Sequence, residues 1–319
     1  MFGQLLILIL GFALLIFGAD YLVKGASNIA KVLNVSEMVI GLTIVALGTS
    51  LPELLVSIIS STTGSTDIVM GNVIGSNICN LLLILAVVTI IKPVRFEKES
   101  LKKNIPLLIG IIILIMIMSL GIFFNTRLKI TKFDGFILLV IAAVYFAIPI
   151  IDFFKKGDNK ENTTEIEKSK GVIVKDLIFM LLGGLALKFG GDFAVNSSVN
   201  IAHMLNISER VIGLTIVAIG TSLPELITSV VAIITKNEDI AEGNIIGSCI
   251  INSCLILGAG AIISDIPLNA SHIKDMALLL VGTILIWLFG FSNKENILKR
   301  SHGLILLIIY LIYSIKLFV

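Results

Sequence analysis

The sequence predicts an all-α integral membrane protein: ten transmembrane helices in two inverted five-helix repeats. Three observations carry this. Of the 319 residues, 56% are hydrophobic and 14% charged, with a mean hydropathy of +1.05, whereas a soluble domain of this length carries about 25% charged residues. Apolar runs of roughly 18 residues or more, enough to cross a hydrocarbon core, recur along the whole chain. Finally, the segment 36–60, SEMVIGLTIVALGTSLPELLVSIIS, returns at 208–232 as SERVIGLTIVAIGTSLPELITSVVA, with 18 of 25 positions identical at a shift of 172.

The spans are expected at 3–29, 36–61, 68–91, 105–124, 134–154, 174–200, 208–234, 240–263, 274–291 and 302–318. The first has no basic residue before it and no small-residue cleavage site, so it reads as a spanning helix and not a signal peptide. The only long polar stretch, Lys155 to Lys175, lacks apolar periodicity and is expected to be a mobile linker. The chain thus divides into a first repeat at 1–154, with its motif at 36–80, a linker at 155–173, and a second repeat at 174–319, with its motif at 208–252. The shift of 172 also carries Asp20 onto Asp192, Gly71-Asn72 onto Gly243-Asn244, Gly75-Ser76 onto Gly247-Ser248 and Asn80 onto Asn252. Each half has an odd number of spans, so the second enters the membrane from the opposite side. Inverted repeats of this kind are typical of secondary transporters, with the substrate site at the repeat interface.

Charge sets the orientation. If the inter-span segments alternate between two sides, the side holding Lys24, Lys31, 92–103, 155–175, Lys236, Lys294, Lys299 and Arg300 carries 17 lysines and arginines. The other side carries 6: Arg127, Lys129, Lys132, Arg210, Lys274 and Lys316. The positive side is expected in the cytoplasm of a cell-membrane protein, leaving both termini extracellular and the linker cytoplasmic. A net charge of +2 is too small to suggest a nucleic-acid partner. Cys79, Cys249 and Cys254 form neither a disulfide framework nor a metal motif.

Glu53 and Glu225 lie midway along apolar spans that contain no lysine or arginine to pair with them. A carboxylate at that depth costs several kcal/mol unless something compensates it, and a cation in transit does so. Thr49, Ser50 and Ser57 stand four, three and four residues from Glu53 and share its helix face. Pro52 and Pro224 lack an N–H and push against the carbonyl four residues earlier. They predict kinks that free carbonyls near Ala46, Gly48 and Thr49, and near Ala218, Gly220 and Thr221. The third and eighth spans add Ser76 with Asn80 and Ser248 with Asn252, while their glycines read as helix packing. All these donors are oxygen, which suits hard cations, and two carboxylates balance one calcium ion. His203, His272 and His302 fall at span ends or in loops. Lys188, four residues before Asp192 on the same face, is expected to be structural, snorkelling to the interface or pairing with that aspartate, and not to face the ion cavity.

GTSLPE in both halves, followed by GNVIGSNICN at 71–80 and GNIIGSCIIN at 243–252, resembles the alpha repeats of the cation/calcium exchanger superfamily, in particular the prokaryotic sodium/calcium exchangers. The resemblance covers nearly the whole chain. It implies exchange of sodium for calcium by alternating access through clustered sites at mid-membrane. No enzyme activity or cofactor is implied, and the transporter is expected to work in the bilayer as a monomer. By position, Glu53 and Glu225 would be carboxylates shared by calcium and sodium, and Thr49 and Thr221 would offer carbonyls to them. Ala46, Ser50 and Ser76 would bind sodium on one side, mirrored by Ala218, Ser222 and Ser248, with Asn80 and Asn252 flanking the centre. GADYLVKGA at 18–26 and GGDFAVNSS at 190–198 resemble the helices thought to slide during transport. Asn252 stands where several relatives carry an aspartate that is linked to potassium in potassium-dependent members, which implies potassium independence. A proton/calcium exchanger on the same fold is the nearest alternative, but its GNxxE pattern is missing. A serine–histidine intramembrane protease is disfavoured because the serines recur and His203 does not. A passive channel would not need two bare carboxylates.

Overall fold

A computed structural model describes residues 2–33, 35–64, 66–120, 128–157, 163–205, 220 and 222–318. Leucine, isoleucine and valine around the full circumference make helices stable only where lipid or other helices surround them. The structure follows suit: Ile9, Phe17, Leu181, Ile234, Val281 and Ile315 are all more than 60% exposed. Among the described residues, six helices are long and apolar enough to cross a membrane. A seventh span, broken and bent by 48°, joins Glu37–Thr49 to Leu51–Thr62.

The elements run α1 (Phe2–Leu33), α2 (Glu37–Thr49, with a π-helical stretch Gly41–Val45) and α3 (Leu51–Thr62). Then comes α4 (Thr66–Ile78), which continues through a π-helical turn Cys79–Ile84 into Leu85–Ile91, followed by α5 (Ser100–Ser119) and α6 (Lys132–Gly157). The second half holds α7 (Thr163–Met204), α8 (Leu223–Ile234), α9 (Glu238–Ile263, π-helical at Asn252–Ile256), α10 (Ala270–Gly290) and α11 (Arg300–Phe318). The expected spans match these helices to within a few residues at most edges. Residues 121–124 of the fourth span and 208–219 of the seventh lie outside the described residues. One expectation is corrected. The stretch read as a linker is helical from Thr163 onward, continuous with α7. The Glu- and Lys-rich composition of this stretch favours a helix by intrinsic propensity where apolar periodicity is absent.

Two-residue strands tie the connecting segments together. β1 (Val94–Arg95) pairs antiparallel with β4 (Ile297–Leu298), and β2 (Lys129–Ile130) with β3 (Ile266–Pro267). Each pair joins segments that the charge count assigned to one side, and β1 falls on β3 at the repeat shift of 172. Lys92–Glu238 at 2.5 Å and Lys129–Asp265 at 2.8 Å add an ion pair to each side.

The inner helices are α4 and α9: 72% and 83% of their spanning windows are buried, against 22–39% for the other four long spans. α1 and α7 lie antiparallel along each other outside this pair, in contact along glycines. A Cβ on Gly18 would stand 2.8 Å from the carbonyl oxygen of Gly183, and one on Gly183 would stand 2.7 Å from that of Gly18. Gly11 and Gly190 answer each other in the same way, at 2.9 and 2.8 Å. Real side chains do not fit at such distances, so the two backbones touch directly. Gly243 and Gly247 of α9 likewise pack on α2 at Met38 and Leu42, as the packing reading expected, whereas a Cβ on Gly71 or Gly75 meets no atom of the described residues within 4 Å.

Candidate ion-binding site

The break between α2 and α3 falls at Ser50 (φ −86°, ψ 8°), and the equivalent Ser222 adopts φ −91°, ψ 7° before α8. Pro52 and Pro224 sit in the first turn of the helices that restart there, where a missing N–H costs nothing. Glu53 and Glu225 therefore occupy helix N-terminal turns deep in the protein, each 1% exposed. The orphan N–H groups and the macrodipole of such a turn favour a negative charge. The kink expected at Pro52 is thus a full break, placed at Ser50.

Ser50 does not cap its own helix. Its hydroxyl crosses to the other half and donates to Glu225 Oε1 at 3.0 Å. Thr49 Oγ1 also crosses, donating to Asn244 Oδ1 at 3.1 Å. Ser76 Oγ stands 3.5 Å from Glu53 Oε1. The site residues contain no lysine or arginine.

One pair of residues escaped the site reading although its signal was present. Asn72 donates to the backbone carbonyl of Glu53 and to Ser57 Oγ, both at 3.1 Å. Asn244 repeats this on Glu225 (3.5 Å) and Ser229 (3.0 Å). Both were visible in the sequence as Gly-Asn pairs repeated at a shift of 172, the recurrence that marked the other site residues. These amides bolt each restarted helix to its neighbour and so fix the glutamate.

After these bonds, a set of buried oxygens remains without a partner among the described residues: Glu53 Oε2, Glu225 Oε2, Asn80 Oδ1 and Asn252 Oδ1. Thr49, Ser50, Ser76, Asn80, Ser222, Ser248 and Asn252 are all at most 4% exposed. The π-helical turn carrying Asn80 packs on α8, which bears Glu225, and the turn carrying Asn252 packs on α3, which bears Glu53. An unpartnered buried hydroxyl or amide oxygen costs about 1–3 kcal/mol and a carboxylate more. An all-oxygen set with two carboxylates has the chemistry to hold a hard cation, which would offset that cost.

One expectation changes. The Ala46 carbonyl is not freed: it accepts from the Ser50 N–H at 3.0 Å, with Thr49 Oγ1 3.3 Å away, because the chain breaks after this hydrogen bond and not before it. Lys188 places its ammonium 5.5 Å from the centre of the Phe189 ring, its neighbour in sequence. Thr221 and Ala218 lie outside the described residues.

Comparisons with known proteins bear on this geometry. The sequence pattern of the family described as sodium/calcium exchanger protein matches residues 3–151 and 175–319. The chain is 35% identical to the sodium/calcium exchanger MaX1 of Methanosarcina acetivorans, over 98% of each protein. It is 34% identical to the putative antiporter CaxA of Alkalimonas amylolytica, over 97% of each. Among solved structures, the sodium-calcium exchanger NCX_Mj soaked with zero Na+ and Ca2+ superposes with a TM-score of 0.83 at 32% identity, covering 98% of both chains.

Proposed function

The chain belongs to the sodium/calcium exchanger family, a family of membrane transporters, and from that premise we propose that it exchanges sodium for calcium by alternating access at the Glu53–Glu225 centre. The observation that carries this reading is the pair of buried carboxylate oxygens, Glu53 Oε2 and Glu225 Oε2, left without partners inside a ring of duplicated neutral oxygens. Calcium takes both carboxylates and approaches neutrality. Sodium ions replace it on the same carboxylates together with Ser50, Ser76, Ser222 and Ser248, with the carbonyls of Thr49 and Thr221 and the Asn80 and Asn252 oxygens completing the shells. Ala46 and Ala218 complete the positional carry-over, although the Ala46 carbonyl must give up a hydrogen bond to serve.

The duplicated hydroxyls leave room for more than two sodium ions, so a cycle moves net charge. With neutral amides at both Asn80 and Asn252, exchange needs no potassium. The positive side faces the cytoplasm, the transporter works as a monomer because one chain supplies the whole site, and the α1–α7 pair slides past the inner helices to change access.

The test is calcium-45 uptake into proteoliposomes under an imposed sodium gradient, with choline replacing potassium in one arm and, in a separate arm, potassium and valinomycin setting the voltage. Sodium-driven, voltage-sensitive, potassium-independent uptake is expected. Uptake driven by a proton gradient without sodium would replace this reading with proton/calcium exchange.

A further inference from the structure

We propose that Asn77 is a positioning residue: it holds the Asn252 amide with its carbonyl oxygen turned toward the transported cation, and the first half of the molecule has no counterpart for it. The proposal rests on the exchanger reading above and deepens it.

The argument is one of donors and acceptors. Asn77 is 1% exposed on α4, one residue from Ser76. One terminal atom of its amide lies 3.4 Å from the backbone carbonyl of Cys249 and 2.8 Å from Ser253 Oγ. A carbonyl can only accept, so the atom facing it must be the nitrogen. The oxygen of Asn77 then faces the other way, 3.2 Å from the Asn252 amide. An oxygen in that position needs a donor, so Asn252 must present its nitrogen. The Asn252 oxygen is thereby turned away from Asn77, buried and without a partner, on the turn that packs against the Glu53 helix. The orientation of the second amide follows from a backbone carbonyl two contacts away.

At the repeat shift of 172, Asn77 becomes Cys249 and Ser253 becomes Leu81. Neither can orient an amide as Asn77 does: a thiol is a weak donor and leucine has no polar atom. Asn80, the mate of Asn252, correspondingly has both its nitrogen and its oxygen unpartnered. One amide of the centre is oriented by a chain of hydrogen bonds, while the other has only the weakly bonding Cys249 thiol beside it.

Calcium affinity separates positioning from mere helix contact. In proteoliposomes containing the full chain, Asn77→Cys, which copies Cys249, is expected to raise the KM for calcium about tenfold, as for a loss of about 1.4 kcal/mol, with the maximal rate kept within about twofold. Adding Cys249→Asn moves the orienting amide to the other half, beside Asn80, and is expected to recover most of the affinity. An unchanged KM in the single variant, or a fall in maximal rate alone with no recovery in the swapped variant, would overturn the proposal. Ser253→Ala removes the stronger of the two anchors of the Asn77 nitrogen and is expected to raise KM two- to threefold; it decides the matter if Asn77→Cys does not fold, and no change would again be fatal. Isothermal titration of calcium into the detergent-solubilised protein reads the same shifts without transport. Absent sodium-driven flux in the unaltered protein therefore overturns the exchanger reading, while the binding curves still judge Asn77.

Discussion

In the first half Asn72 bridges the Glu53 carbonyl and Ser57; in the second Asn244 bridges the Glu225 carbonyl and Ser229. The same two bonds hold both carboxylates, related by the pseudo-symmetry of the repeat. Half a turn before Asn72 and Asn244 the halves part. Met70, 0% exposed, stands where the second half has Glu242, 1% exposed. Glu242 accepts the backbone N–H of Glu97 at 3.0 Å, ahead of α5, and leaves its other oxygen unpartnered. The contrast teaches that the bonds holding the two carboxylates are kept symmetric, while the residue that fastens α9 to the segment ahead of α5 is not.

The strongest way to break this comparison is at its symmetric centre. Glu53→Gln and Glu225→Gln each keep the shape and remove one charge, so both are expected to reduce sodium-driven calcium-45 flux to background. Substantial flux from either would mean that one carboxylate suffices and that the halves are unequal at the ion itself. Next come the outer positions. Met70→Glu puts a carboxyl into a mostly apolar lining of Val73, Ile74 and Ile112, whose donors Asn77 and Ser253 already bond each other, and is expected to cost several kcal/mol of stability. Glu242→Met frees one buried N–H but also removes a poorly satisfied carboxyl, so a loss of about 1 kcal/mol is expected. Thermal unfolding of both in detergent checks the ratio, and equal losses would erase the asymmetry. Asn72→Ala and Asn244→Ala should each cost about 1–3 kcal/mol and lower flux together. A much milder effect in one half would show that its helix restart is held by something else.

The smallest effect is one of pH. Burial first, then the nearby charges of Asp239 and Glu99, hold the Glu97 carboxyl above its ordinary 4.5. The folded protein thus binds this proton more tightly than the unfolded chain does. Stability therefore falls as pH rises from 4.5 through the folded value, and is flat with respect to this group below that window. Glu97→Gln is expected to flatten the dependence of melting temperature on pH across the window; an unaltered slope would remove Glu97 from the account.

Much of this was legible in the sequence because bilayer thickness and the repeat shift are one-dimensional signals. Span edges, the two glutamates, and Ser50, Ser76, Asn80 and their mates followed from length, polarity and recurrence. What was not legible is tertiary. Nothing in GTSLPE tells that Ser50 reaches across to the opposite glutamate instead of capping α3, or that the Ala46 carbonyl keeps its hydrogen bond. Asn77 could not be singled out by recurrence because its mate is Cys249. The helical start of α7 at Thr163 was hidden because a Glu/Lys-rich helix has no apolar face for periodicity to find.

The glycine seam between α1 and α7 carries one more consequence, for assembly and descent. Gly11 meets Gly190 and Gly18 meets Gly183, while the repeat shift takes Gly11 to Gly183 and Gly18 to Gly190. Each contact is therefore the image of the other, as in an isologous interface between two identical subunits. A surface of this kind is self-complementary: a single half, present twice and inserted in both orientations, already contains everything needed to make it. The two halves expressed as separate polypeptides carry the means to find each other in a bilayer, and the covalent join between them adds proximity to a recognition that the glycines already encode.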